Sequence, residues 1–252
     1  MLTVKPDKPV SPDLLMLVRA LDRVTKQLQI PYFVIGATAR DLLIEHVYGL
    51  ETTRATRDID FAVAVSSWEN FARLKEQLIA TGAFQAGEQS HRLTFGEDSG
   101  AYPLDLVPFD GVERDGEIAW PPAGDVVMNV AGYADALDSA LDVEIEPGFT
   151  VKIVSLPAMA ILKILAWNDR PERDKHAADV LLLLRHYHLT CQLDRLYDDA
   201  HIACSRSMDT TSSWQGRRCW DAMPDGTSPR NPGSKSWMCS QRSEFPRNLL
   251  AR

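Results

Sequence analysis

The sequence predicts an α/β (α+β) fold, a mixed sheet flanked by helices with a small helical segment toward its C-terminal side. Two observations lead there. Short β-prone apolar runs, Tyr32–Ile35, Phe61–Val65 and Tyr102–Phe109, are interleaved with stretches whose apolar residues recur at helical spacing. After Leu156 the strand-like runs stop, and two helical stretches follow through Tyr187. The 252 residues suffice to bury a sizeable core. A composition of 45% hydrophobic and 25% charged residues is that of an ordinary globular chain.

In chain order, Ser11-Pro12-Asp13 is a helix start: a capping hydroxyl, a proline in the first turn, then an acid. Leu14, Leu15, Val18, Leu21, Val24 and Leu28 then mark an amphipathic helix over 12–29, ended by Pro31. Tyr32–Ile35 is a short buried strand, stopped by Gly36, and a helix follows to about Tyr48. Residues 49–56 are a polar connector to the strand that carries Asp58 and Asp60. Ser66 or Ser67 caps a helix to about Thr81, with Phe71, Leu74 and Leu78 on its inner face, and Gly82 stops it. Strands are expected near Leu93–Phe95 and over Tyr102–Phe109, a loop over 110–124 and a short helix within 130–140. Val143–Ile145 and Val151–Val154, joined through Pro147-Gly148, read as a hairpin. Helices over Ala158–Trp167 and Lys175–Tyr187 complete the pattern.

Past about residue 200 the periodicity ends. The segment carries nine Ser, four Pro, three Trp and three Cys. We read 201–252 as an irregular or disordered tail, and out-of-frame translation as the preferred explanation of its composition. The expected organisation is therefore a core over 1–155, a helical segment over 156–200 that completes the site, and the tail. Net charge is −8, yet from His201 onward seven Arg and one Lys face three Asp and one Glu, so the body is the acidic part. An acidic body is unlike a generic nucleic-acid binder. No apolar run approaches the roughly 20 residues of a membrane span, and the first residues lack a signal-peptide core. Cys191, Cys204, Cys219 and Cys239 show no close metal-ligand spacing. A cytoplasmic protein without membrane contact, structural disulfides or zinc is expected.

The chemistry centres on the stretch TRDIDFAV, residues 56–63. On a strand Asp58 and Asp60 point one way, and Ile59 and Phe61 point the other, into a core. Two carboxylates on one face repel unless a cation lies between them, and Mg²⁺ favours such all-oxygen sites. Upstream, Gly36 in FVIGATARDLL lets the backbone approach a ligand closely, and the helix behind it offers free N–H groups to an anion. Thr38 adds a hydroxyl. Arg40 can reach a phosphate or pair with Asp41 or the acidic strand. A phosphate cradle beside paired carboxylates suits nucleotidyl transfer, where two metals clamp the attacking and leaving oxygens and a third carboxylate completes the set. Asp105, a lone acid inside an apolar strand, is the candidate, with Asp110 weaker because it falls in the loop. Lys163, between apolar neighbours in AMAILKILAW, must snorkel or meet an anion, either a triphosphate or a carboxylate. Asp179 in HAADVLLLL is its mirror image, so an ion pair between the two helices competes with the phosphate role.

Taken together, VIGATARDLL, TRDIDFAV, YPLDLVPFDGVE and SLPAMAILKILAW followed by RDKHAADVLLLL resemble the nucleotidyltransferase superfamily with the DNA polymerase β-like fold. They resemble most its AbiEii-like branch, which includes type IV toxin–antitoxin toxins. The resemblance covers roughly residues 12–190. It implies a polymerase β-like core in which Gly36, Ala37, Thr38 and Arg40 form the nucleotide loop. It also implies that Asp58, Asp60 and Asp105 are catalytic and bind two Mg²⁺ ions, with Lys163 contacting phosphate and Asp179 the branch's helical acid. Ala37 stands where the family usually has Gly or Ser. The implied reaction is Mg²⁺-dependent transfer of an NMP from an NTP to an acceptor hydroxyl, with an RNA or tRNA 3′ end favoured and a cognate antitoxin as a further partner. The acidic body leaves a small-molecule or protein hydroxyl open. Alternatives are a tRNA CCA-adding or poly(A)-polymerase-like enzyme, whose further helical domains are missing here, and a non-catalytic nucleotide- or partner-binding protein, against which the three intact aspartates count.

Overall fold

A computed structural model describes residues 1–51, 58–96, 101–172 and 174–190. Thr56 and Arg57, most of the polar connector, the four cysteines and the 201–252 tail lie outside the described residues. Met1–His186 include a compact unit holding the sheet and its helices.

Local sequence sets the longer elements. Strand β1 is Leu2–Thr3 and helix α1 is Pro12–Leu28. Ser11 Oγ accepts the Leu14 N–H at 3.3 Å, and Gln29 closes the helix in the left-handed region at φ 56°. Leu17, Val18, Leu21 and Val24 are its buried stripe. Strand β2 (Tyr32–Ile35) runs straight into α2 (Gly36–Asp41), which widens into a π-helical turn over Leu42–Val47. The helix expected to reach Tyr48 is thus of two kinds, a variation that recurs at functional sites. Strand β3 is Ile59–Val65, and α3 (Trp68–Ala80) is capped by Ser67, whose Oγ accepts the Asn70 N–H.

Strands β4 (Phe84–Ala86), β5 (Arg92–Phe95) and β6 (Tyr102–Asp110) follow. Where a plain loop is expected over 110–124, β7 (Glu117–Ala119) pairs with β8 (Val127–Asn129) as a separate two-stranded ribbon. Helix α4 is Tyr133–Asp138. The hairpin at Pro147-Gly148 joins β9 (Leu141–Glu146) to β10 (Phe149–Ile153). Helix α5 (Leu156–Asp169) is capped by Ser155 and carries Pro157 in its first turn, and α6 is Asp174–Tyr187.

The main sheet has eight strands in the order β1-β9-β10-β2-β3-β6-β5-β4. It is mixed: β3 runs antiparallel to β2 but parallel to β6, and β6 is antiparallel to β5. Ile59, Phe61, Val63 and Val65 are buried, and so is Ala62 on the opposite face, so both sides of the central strand are covered. Helix α2 packs on β2 and β3, and α5 touches α2 and α4. These contacts bring the loop after β2, the first residues of β3, the middle of β6 and the α5–α6 pair to one place.

Candidate active site

Gly36 ends β2 with φ +69°, a conformation that L side chains rarely adopt. Antiparallel pairing sets Ile35 opposite Asp60. The turn therefore lies directly on that carboxylate: a Cβ added at Gly36 would sit 2.1 Å from Asp60 Oδ2. Two residues on, Thr38 Oγ1 donates to the carbonyl oxygen of Asp58 at 3.2 Å and ties the loop to the residue just ahead of β3. Gly36 and Ala37 are half-buried, whereas Thr38 and Arg40 are buried.

The three acids meet through the sheet. Asp58 is exposed immediately before β3, and Asp60 is the second residue of that strand. Parallel pairing puts Asp60 in register with Asp105 of β6. Neighbouring strands lie about 4.8 Å apart, so two in-register carboxylates on one face crowd each other. Burial, then the charge on Asp105, raises the Asp60 carboxyl to about 6, with Asp58 adding to the rise and Lys163 and Lys175 opposing it. The same charge reaches Tyr133, whose hydroxyl is pushed well above its ordinary range, first by burial and then by Asp60.

Asp105 is not bare. Antiparallel pairing sets Arg92 of β5 opposite it. The guanidinium forks onto both oxygens, Nε to Oδ1 and Nη2 to Oδ2, each at 2.7 Å. His91 Nε2 stands 3.9 Å from Oδ1, and burial lowers its imidazole below the usual range.

A second charged cluster lies among α2, α5 and α6. Arg40 is only 1% exposed. Its Nε and Nη2 reach Asp41 Oδ1 at 2.8 and 2.7 Å, and its Nη1 donates to Asp179 Oδ1 at 2.7 Å. Lys163 Nζ donates to the other oxygen of Asp179, also at 2.7 Å. Asp179 thus bridges the two cations. Burial works to raise its carboxyl, yet the hydrogen bonds and charges of Lys163 and Arg40 hold it below the ordinary carboxylate range. Burial raises Asp41, with Arg40 opposing the shift in part. Lys163 also acts on Asp60, so its charge is felt by both Asp179 and the acidic strand.

The structure therefore gathers Gly36, Ala37, Thr38, Asp58, Asp60, Asp105 and Lys163 around one locality. It puts Arg40 and Asp179 behind Lys163, with Arg40 in the pairing to Asp41 that competes with phosphate contact. Sequence reasoning did not single out Arg92, His91, Lys175 or Tyr133. Arg92 alone left a signal, a cation opening a β-prone run 13 residues before a lone buried-strand acid.

Against a divalent cation, the donor chemistry fits: the acids offer oxygen only, the ligand type that Mg²⁺ takes, and crowding leaves Asp60 short of countercharge. Among the described residues, no three His, Cys, Asp or Glu side chains are drawn together closely enough to form a finished cation site. Both oxygens of Asp105 are turned to Arg92 instead.

The family model described as nucleotidyl transferase AbiEii toxin, type IV TA system, matches residues 19–210, well over half of the chain. The chain belongs to the AbiEii nucleotidyltransferase family. It is accordingly a nucleotidyltransferase with the mixed α/β core of that superfamily. No curated protein matches it in sequence. Among solved structures it is similar to an antigenic nucleotidyltransferase-like protein from Paracoccidioides brasiliensis, at 19% identity and TM-score 0.47 over 70% of this chain and 78% of that one. It is also similar to the lincosamide antibiotic adenylyltransferase LnuA, at 16% identity and TM-score 0.40 over 70% of this chain and 97% of that one. The Thermotoga maritima CCA-adding enzyme complexed with tRNA matches at 18% identity and TM-score 0.32, over 66% of this chain and 37% of that one. Among the described residues of this AbiEii chain, no helix is long and apolar enough to cross a membrane.

Proposed function

We propose that this AbiEii nucleotidyltransferase moves an NMP from an NTP to an acceptor hydroxyl in an Mg²⁺-dependent reaction, with an RNA 3′ end, tRNA above all, as the favoured acceptor. The toxin of a toxin–antitoxin pair is the role this reading gives it, with a cognate antitoxin as its partner. The observation that carries the reading is the register of Asp60 with Asp105, with the Gly36 turn lying on Asp60.

The acceptor hydroxyl gives up its proton to solvent water as its oxygen attacks the α-phosphorus, the bond from that phosphorus to the bridging oxygen breaks, and pyrophosphate leaves with the electron pair. Two Mg²⁺ ions, when bound, would neutralise charge on the α-phosphate and on the leaving pyrophosphate. Asp58 and Asp60 would hold both ions, and Asp105 would hold one of them and orient the attacking hydroxyl as it loses its proton. Backbone N–H groups at Gly36, Ala37 and Thr38 would meet the phosphates, and Lys163 would add a cation from the far side. Arg40 and Asp179 act through others: they hold Lys163 and the loop in place, with Asp179 paired to both cations.

The test is incubation with each α-labelled NTP, Mg²⁺ and total tRNA, comparing wild type with Asp58→Ala/Asp60→Ala. Label entering RNA only with the wild type supports the reading and names the nucleotide. Label entering protein moves the acceptor assignment to a protein hydroxyl. Equal transfer by the double variant overturns the role given to the two aspartates.

A further inference from the structure

Two arginines pair with carboxylates in this site, and their surroundings differ. Arg40 is sealed in, 1% exposed, between two acids. Arg92 pairs with a single acid, and its side chain is 34% exposed. It extends from β5, the strand next to the sheet edge, with Gly87 leaving room for its stem: a Cβ at Gly87 would lie 2.8 Å from Arg92 Cγ. An arginine so placed can leave its partner for water with little rearrangement, whereas Arg40 cannot.

The position of the Arg92 head matters because of what surrounds it. It takes both oxygens of Asp105, and the charges of Asp58 and Asp60 act on it as well. The guanidinium is thus the cation that Asp105 holds in this structure, next to the in-register Asp60. A divalent ion bound by the same carboxylates would meet a fixed positive charge a few ångströms away, a repulsion that a low-dielectric site amplifies. We propose that Arg92 is a positioning residue that competes with metal: it neutralises Asp105 in the metal-free enzyme, releases it on loading, and so sets the site's metal affinity. The inference rests on the reading of Asp58, Asp60 and Asp105 as metal ligands.

Metal affinity itself is the readout, without nucleotide or turnover. Mn²⁺ binding near neutral pH is measured by titration for wild type, Arg92→Gln, Arg92→Lys and Asp60→Ala, alongside unfolding midpoints in EDTA and in Mn²⁺. Arg92→Gln is expected to bind Mn²⁺ about ten-fold tighter than wild type, because one unit charge is removed beside a divalent ion. Its midpoint should fall in EDTA, where Asp105 loses its counter-ion, and recover in Mn²⁺. Arg92→Lys, which keeps a cation but loses the fork, should fall between the two in affinity. If Arg92→Gln does not fold in EDTA, Arg92→Lys against wild type decides, and equal affinity overturns the proposal. Equal or weaker Mn²⁺ binding by folded Arg92→Gln, with binding lost in Asp60→Ala, overturns the role of Arg92 and leaves the metal reading standing. Binding that Asp60→Ala does not weaken overturns both.

Discussion

Replacing Asp60 by Asn separates the catalytic role proposed for this carboxylate from its cost to the fold. In the metal-free protein its carboxyl is raised from 3.8 to about 6, by burial first and by Asp105 next. A shift of about 2 units corresponds to roughly 3 kcal/mol between the protonated and charged forms. The folded state holds this proton more tightly than the unfolded chain. Stability is therefore favoured below about pH 4, falls as pH rises toward 6, and carries the full penalty above it. Asn has nearly the shape of Asp, so it keeps the contact with Gly36 while carrying no charge. In EDTA near pH 8, Asp60→Asn should be more stable than wild type by up to about 3 kcal/mol, or roughly 6–12 °C in unfolding midpoint for a chain of this size. The gain should shrink toward zero near pH 4, and transfer activity should be lost throughout. Thermal or urea unfolding across that pH range is the assay. No gain at pH 8, or the same gain at both ends of the range, would refute the electrostatic account of the site.

Two further outcomes are expected. Gly36→Ala puts a Cβ 2.1 Å from Asp60 Oδ2 at φ +69°, so it should destabilise by about 1–3 kcal/mol and abolish transfer, as unfolding curves and the labelled-NTP assay would show. Asp179→Ala removes the acid shared by Lys163 and Arg40, leaving Arg40 its contacts to Asp41, and should cost about 3–5 kcal/mol, while Asp179→Asn, which still accepts hydrogen bonds, should cost less; denaturant midpoints distinguish the two.

The long elements were legible because many residues vote for each one. Helix α1 shows a full amphipathic stripe and a Ser11 cap, α3 repeats that arrangement, and β6 is nine residues of β-prone sequence. The strands left unread, β1, β4, β7 and β8, are two or three residues long, too short for alternation to register. They exist because a neighbour offers its edge, as β9 does to β1.

The candidate site divides along the same line. An acid inside an apolar strand, or a lysine inside an apolar helix, violates the local pattern, so Asp60, Asp105 and Lys163 stand out in the sequence, and Gly36 stands out as the break between strand and helix. The sequence by itself determined which groups stand out as candidates for the chemistry and that the chain resembles nucleotidyltransferases. Only the tertiary structure decided how those groups are paired. Arg40 and Asp179 are 139 residues apart and meet because α2 and α6 pack there. Asp105 faces both Asp60 and Arg92 because strand register fixes which residues lie opposite, and a slip of one residue would turn each of them to the other face. Charge in a site is set by such neighbours and by burial, and neither is a property of a residue read alone.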